Sequence, residues 1–440
     1  MTNTPEPAAG SPDKEPAGPE PATTGQAPRS HRDPEQGETF LRAFLGNLWS
    51  ANTVMVTLLA VVLALVIGAI LIIVSDPDVL AAYGYFFAAP GQALSDSWAV
   101  VSDAYANLLK GSIVDPDVVR GAMDGTNSWE QVFYPISETL TYAVPLVFTG
   151  LAVAIAFRGG LFNIGGQGQA ILGAIGAGLV GFLLPLPPVL HVLVALLGAL
   201  LAGALFGYVP GVLKARTGAH EVITTIMLNY VALFFLSWLI VQKGIQDPAR
   251  SDAISKPIDS NAHLTNFGST LRANIGVLIA IAVTWAIAWL LNRSTLGFEL
   301  RAVGGNPDAA RTAGMSVGRT YTFVMALSGG LAGLGGSMMV LGTAYNLTVQ
   351  VVGQIGFNGI LVALLGRAKP WGVALGALLF GALQSGGNRM QSYSGISVEL
   401  VTVLQALIVI FIAAPALVKT IFRLRAARAS RLETSMAKGW

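Results

Sequence analysis

The sequence predicts an all-α integral membrane protein, a polytopic helical bundle of about ten transmembrane helices with both termini in the cytoplasm. Three observations predict it. Charged residues make up 11% of the 440 and hydrophobic ones 53%, whereas a soluble domain carries about 25% charged. The mean hydropathy is +0.63. The charges also segregate, with acids concentrated in 76–135 and bases in a set of short connections and the C-terminal tail.

Residues 1–48 come first, a Pro-rich tail with eight of the chain's 22 prolines in its first 38 residues. Almost nothing there is large and apolar. Ordering the segment would cost more than it could bury, so disorder on the cytoplasmic side is expected. No basic region leads into a short apolar stretch, so no signal peptide is expected there. Residues 49–420 form the transmembrane domain, with candidate spans at 52–74, 136–157, 163–184, 189–212, 222–242, 274–291, 320–343, 355–367, 371–386 and 398–418. The 355–386 region also reads as one span with a re-entrant piece.

Orientation follows from charge. The tail 421–440 is basic and belongs in the cytoplasm. The segment 76–135 carries eight acids against Lys110 and Arg120, so it is extracytoplasmic. Within it, Leu94, Trp98, Val101 and Tyr105 share a helical face, read either as a packed outer loop or as a contact for an external partner. Arg158, Lys214, Arg216, Arg367, Lys369 and the four arginines of 292–319 then all fall inside.

The stretch FNIGGQGQAILGAIGAG, Phe162–Gly178, combines two signals. Gly166, Ala170, Ala174 and Gly178 recur every four residues, a face that lets another helix approach closely; Gly329 and Gly333 repeat the pattern. Packing does not explain Asn163, Gln167 and Gln169. An unpaired amide in hydrocarbon costs roughly 4 kcal/mol or more, so such groups face protein or a wet cavity. Two readings follow: residues of a solute path through glycine-broken helices, or interhelical hydrogen bonding with Asn163 as a cap. Thr225, Asn229, Asn358 and Gln384 join them as substrate-pathway candidates. FNIGG at 162 and FNGI at 357 hint at an inverted repeat.

Composition excludes several functions. A net charge of +2 is too small for nucleic-acid binding. The absence of cysteine removes disulfides and thiolate chemistry, and the four histidines have no metal-ligand spacing. No metal site and no catalytic residue is predicted. No acid or base sits at the centre of a span, which disfavours a proton-coupled carrier and suits a neutral, hydrogen-bonding solute. No phosphate loop is present, so ATP is not bound by that motif in this chain.

The loop 292–319 places a short helix at the membrane surface, with Asn306 as cap, Pro307 at its first position and Gly314 at its end. Here GFELRAVGGNPDAARTAGMSVGRTYTFVMALSGGLAGLGG (297–336) closely resembles permease subunits of ATP-binding-cassette (ABC) importers, in the branch of branched-chain amino acid, ribose-type sugar and nucleoside permeases. FNIGGQGQ (162–169), HEVITTIMLNYVA (220–232) and GFNGILVALLGRAKPWG (356–372) are similar to the nucleoside permeases in particular. The resemblance covers about 136–420. It implies a transport subunit in a bacterial plasma membrane, with no cofactor of its own. It also implies a separate ABC ATPase that uses the ATP, a second permease subunit forming a heterodimer, and an extracytoplasmic substrate-binding lipoprotein. By motif, Gly304, Asn306, Ala309, Ala310 and Gly314 carry over as the ATPase-coupling residues. A simple-sugar or branched-chain amino acid permease is the alternative substrate class. An ion-coupled secondary transporter and a membrane enzyme are weaker readings.

Overall fold

The computed structural model describes residues 53–422. The tail 1–48 and all but the first two residues of 421–440 lie outside the described residues. The architecture is helical, and the only β pairing among the described residues is three isolated bridges in connections between helices. In chain order the helices are α1 (Thr53–Ser75), α2 (Pro77–Tyr83), α3 (Pro90–Ser112), α4 (Pro116–Met123), α5 (Trp129–Val132), α6 (Tyr134–Arg158), α7 (Gly166–Leu183), α8 (Pro188–Thr217) and α9 (Glu221–Leu239). Then come α10 (Gly276–Arg293), α11 (Thr295–Gly305), α12 (Pro307–Thr312), α13 (Val317–Met339), α14 (Ile355–Leu365), α15 (Pro370–Ser394), α16 (Val398–Ala413) and α17 (Pro415–Ile421).

Seven helices among the described residues are long and apolar enough to cross a membrane: α1, α6, α7, α8, α9, α10 and α13 with its extension to Ala344. The three remaining expected spans become the short apolar α14, the less apolar α15, and α16, which ends at Ala413 before Pro415 opens α17. α6 and α13 are central, each with 83% of its span buried, whereas α1 and α8 bury 22%. α13 packs on α8 and α7 through small residues. A Cβ added to Gly329, Gly333 or Gly336 would collide with backbone of the neighbouring helix, so the expected small-residue faces are interhelical contacts.

The expected outer segment 76–135 folds as α2–α5. Its long helix α3 does not bury the Leu94–Trp98 face, whose side chains are 58% and 75% exposed. It buries Ala93, Ser97, Ala104, Leu108 and Gly111 instead, because its alanine, serine and glycine positions allow close approach to neighbouring helices. Tyr105 Oη donates to Leu65 O of α1 at 2.5 Å, and Ser385 Oγ of α15 donates to Gly111 O at 2.7 Å.

Two features shape the interior. α13 continues as a π-helical turn, Val340–Ala344, closed by Tyr345 at φ 55°. The connection between α9 and α10 holds that turn: Ile258 N donates to Tyr345 O (2.9 Å) and Leu264 N to Leu341 O (2.9 Å). Beyond it, α14 has only 11 residues. At 1.5 Å per residue it spans about 16 Å, roughly half the hydrocarbon thickness. Residues 345–354 therefore run back into the protein before α14 begins.

Candidate functional site

α7 and α14 both begin inside the bundle, where their first N–H groups have no preceding turn to bond and no bulk water to replace it. The amides meet that need. Asn163 Oδ1 accepts from Gly165 N (2.9 Å), Asn229 Oδ1 from Gly168 N (2.8 Å), and Gln167 Oε1 from Gly356 N (3.0 Å). Each amide also donates. Asn163 Nδ2 reaches Gln169 Oε1 and Ser328 Oγ, both at 2.8 Å, and Ser328 Oγ donates to Ala152 O at 2.7 Å. Asn229 Nδ2 donates to Ile164 O (3.0 Å) and Gln167 Nε2 to Gly353 O (2.6 Å). The two helix starts touch directly: a Cβ on Gly356 would overlap the Gln167 backbone.

These residues divide by position. Asn163, Gln169 and Thr225 are buried in closed networks, Thr225 bonding Glu221 O (2.7 Å) and lying under Gly165. Gln167 and Asn229 also line a cavity of about 600 Å³ with Tyr230, Gln350, Gln354 and Phe357. Asn358 and Gln384 are elsewhere. They line a second cavity of about 390 Å³ with Tyr142, Gln354, Thr402 and Gln405. There Gln384 Nε2 donates to Asn388 Oδ1 (3.3 Å), and Asn388 donates to Tyr142 Oη (2.9 Å). The turn Val352–Gln354 lines both cavities. Thus the seven pathway candidates form two lined chambers and a buried scaffold between broken helices, not one cluster. Both linings are amide-rich, with no carboxylate, ammonium or guanidinium.

Sequence reasoning missed Gln350, Gln354 and Tyr142. The signal available was the shortness of the 355–367 span, which places the polar residues just before it at depth. Phe162, adjacent to the amides in sequence, packs against Phe157 (ring centroids 5.0 Å apart) and is not in either lining.

The 292–319 loop folds as expected at its centre. Asn306 Oδ1 caps α12 by accepting from Asp308 N (3.1 Å) and Ala309 N (3.0 Å), Pro307 occupies the first turn, and Gly314 follows the helix at φ 83°. Ala310 is 4% exposed and packs with Val303 and Val317, which fixes α12 against the neighbouring helices. The outward residues are Asp308, Ala309, Arg311 and Thr312. Gly304 packs closely on a neighbouring element. Its backbone lies on the turn after α6, where a Cβ on Gly160 (φ 74°) would sit 2.9 Å from Gly304 Cα. From that turn Arg158 Nε donates to Ala368 O (3.1 Å), between α14 and α15.

Residues 136–413 match the family described as the branched-chain amino acid transport system permease component. The chain is 39% identical over 290 residues to the guanosine ABC transporter permease protein NupP of Bacillus subtilis, covering 65% of this chain and 83% of that one. It is 41% identical over 312 residues to the nucleoside ABC transporter permease protein NupB of Lactococcus lactis, covering 69% and 84%. It is also 35% identical over 310 residues to the glucose ABC transporter permease protein TsgB13 of Haloferax volcanii, covering 68% and 80%.

Proposed function

The chain belongs to the branched-chain amino acid transport system permease component family, and from that premise we propose that it is the membrane permease subunit of an ATP-driven ABC importer for nucleosides. It is a multi-pass transport subunit rather than an enzyme. The observation that carries the substrate class is the larger cavity, together with relatives named for guanosine and nucleosides. Tyr230 and Phe357 offer rings for a base to stack on, and Gln167, Gln350, Gln354 and Asn229 offer neutral donors and acceptors for base edges and ribose hydroxyls. Its volume of about 600 Å³ falls in the range of small-molecule sites. The lining offers no charged side chain to the ammonium and carboxylate of an amino acid, which would have to rely on helix ends and carbonyls. A sugar remains the second reading, favoured by the glucose permease relative.

The working assembly comprises this chain, a second permease subunit, ABC ATPases on the cytoplasmic face and an extracytoplasmic binding lipoprotein, in a bacterial plasma membrane. The lipoprotein delivers solute from outside. The ATPase grips α12 through Ala309 and its exposed neighbours. Closure of the ATPases moves the α11–α12 unit, and Gly304 carries that motion onto the Gly159–Gly160 turn. From the turn it travels two ways. One route is the 161–165 segment that positions Asn163 and the start of α7. The other is Arg158 to Ala368 and so to α14, whose first residues adjoin the wall Val352–Gln354. Both routes end at the cavity, which is how a cytoplasmic event reopens it on the other side.

Competition uptake tests the reading. Labelled guanosine entry is followed in cells lacking and regaining this gene, with excess adenosine, uridine, ribose, glucose or leucine. Gene-dependent entry blocked only by nucleosides is the expected result. Blockade by ribose, glucose or leucine removes the nucleoside assignment. Intact uptake after ATP depletion, with the ion gradient preserved, removes the ATP-driven mechanism.

A further inference from the structure

We propose that the cytoplasmic end of α10 and the start of α15 form a binding site for an anionic phospholipid of the inner leaflet. The site is a surface cavity of about 580 Å³ lined by Trp285, Ala288, Trp289, Asn292, Arg293 and Trp371. None of it belongs to the two chambers described above. Trp285, Trp289 and Arg293 are spaced four residues apart and so form one stripe along α10. The stripe runs from about 12 Å inside the helix end to the basic cytoplasmic edge. It is apolar and aromatic at depth, and cationic at the surface.

The chemistry of the stripe selects the occupant. The three indoles are each more than half exposed, the position that Trp takes at a headgroup boundary. Arg293 is exposed and has no ion-pair or hydrogen-bond partner among the described residues, and the lining contains no carboxylate. Lys369, two residues before Trp371, is likewise exposed and unpaired among them. Two uncompensated cations at the inner membrane surface match a phosphate-bearing headgroup, and basic pockets of this kind take anionic lipids. The stripe from Arg293 to Trp285 matches an amphiphile whose chains lie beside the deeper indoles. An ATPase docked on the cytoplasmic face would meet Arg293 but not Trp285. The proposal rests on the membrane orientation and not on the nucleoside assignment.

Native mass spectrometry of the full transporter, released from mild detergent after incubation with phosphatidylglycerol or phosphatidylcholine, tests it. Phosphatidylglycerol is expected to be retained in preference. Arg293→Gln is expected to weaken its retention about fivefold, the change made by one cation at an anionic surface. Arg293→Lys, which keeps the charge, is expected to preserve most of it and shows that loss in the Gln variant is not misfolding. Arg250→Gln, on the outer connection, is expected to change nothing. Equal retention of the two lipids, or unchanged retention in Arg293→Gln, overturns the proposal. So does displacement of the lipid by soluble glycerol phosphate, which would make this a free-anion site. A photo-crosslinker at position 289 that captures a second permease subunit instead of lipid would make it a protein interface and overturn the proposal too.

Discussion

Asn229→Leu is nearly isosteric and removes both polar atoms of a side chain that serves two backbone groups. Gly168 N–H is buried and bonded only through Asn229 Oδ1 (2.8 Å), so its loss leaves an unsatisfied donor at about 1–3 kcal/mol. Ile164 C=O is half-buried beside the cavity, where water can replace Asn229 Nδ2, and loses about 0.5–1.5 kcal/mol. The total destabilisation is about 1.5–4.5 kcal/mol. Asn229→Asp keeps the acceptor for Gly168 but sets a second carboxylate oxygen against Ile164 C=O and a charge in a nearly buried place, so it is expected to retain the start of α7 at an intermediate stability. Thermal unfolding of the purified permease, followed by size-exclusion fluorescence, ranks the three proteins. The order wild type, Asp, Leu supports the capping argument. A Leu variant within about 0.5 kcal/mol of wild type, the scatter of an uninvolved surface change, refutes it.

The other predictions concern coupling, the helix cap, the chamber wall and pH. Gly304→Ala drives a methyl into the turn after α6, an overpacking cost of about 1–3 kcal/mol, and is expected to lower uptake per ATP hydrolysed while the complex still assembles; unchanged coupling in proteoliposomes counts against the proposed route. Asn306→Ala deletes the α12 cap, worth about 1 kcal/mol, and is expected to weaken ATPase co-purification without changing permease yield. Gln167→Ala frees the 353–356 turn from α7 and is expected to raise KM more than it lowers stability; an unchanged KM removes Gln167 from the solute path. Glu130 accepts Thr270 N–H (2.7 Å), and this bond holds its carboxyl below the usual glutamate value. Its stabilising contribution is therefore complete above the unfolded value of about 4.3 and lost as pH falls through the lower folded value. Amide exchange at Thr270 is expected to be flat from pH 5 to 8, after correction for intrinsic rates, and to quicken in acid; Glu130→Gln should remove that step.

The helices were legible because hydropathy and charge act locally. Starts fell where Pro marked them, as at Pro188 and Pro370, and the Asn306–Pro307–Gly314 pattern gave α12 from its own residues. What sequence could not give was which face meets which. The face of Leu94, Trp98, Val101 and Tyr105 was visible as a helical stripe, but only the fold shows that Val101 and Tyr105 pack while Leu94 and Trp98 stay exposed. Likewise Asn163 and Gln384 carry equal polarity in the sequence. Only the fold seals one into a network with Ser328 and opens the other to a chamber. Ala310 matched its motif, and the small cluster with Val303 and Val317 turns it inward.

The turn Val352–Gln354 is one partition with two faces. A change at any of these three residues therefore reaches both chambers at once, and neither lining can be altered there without altering the other.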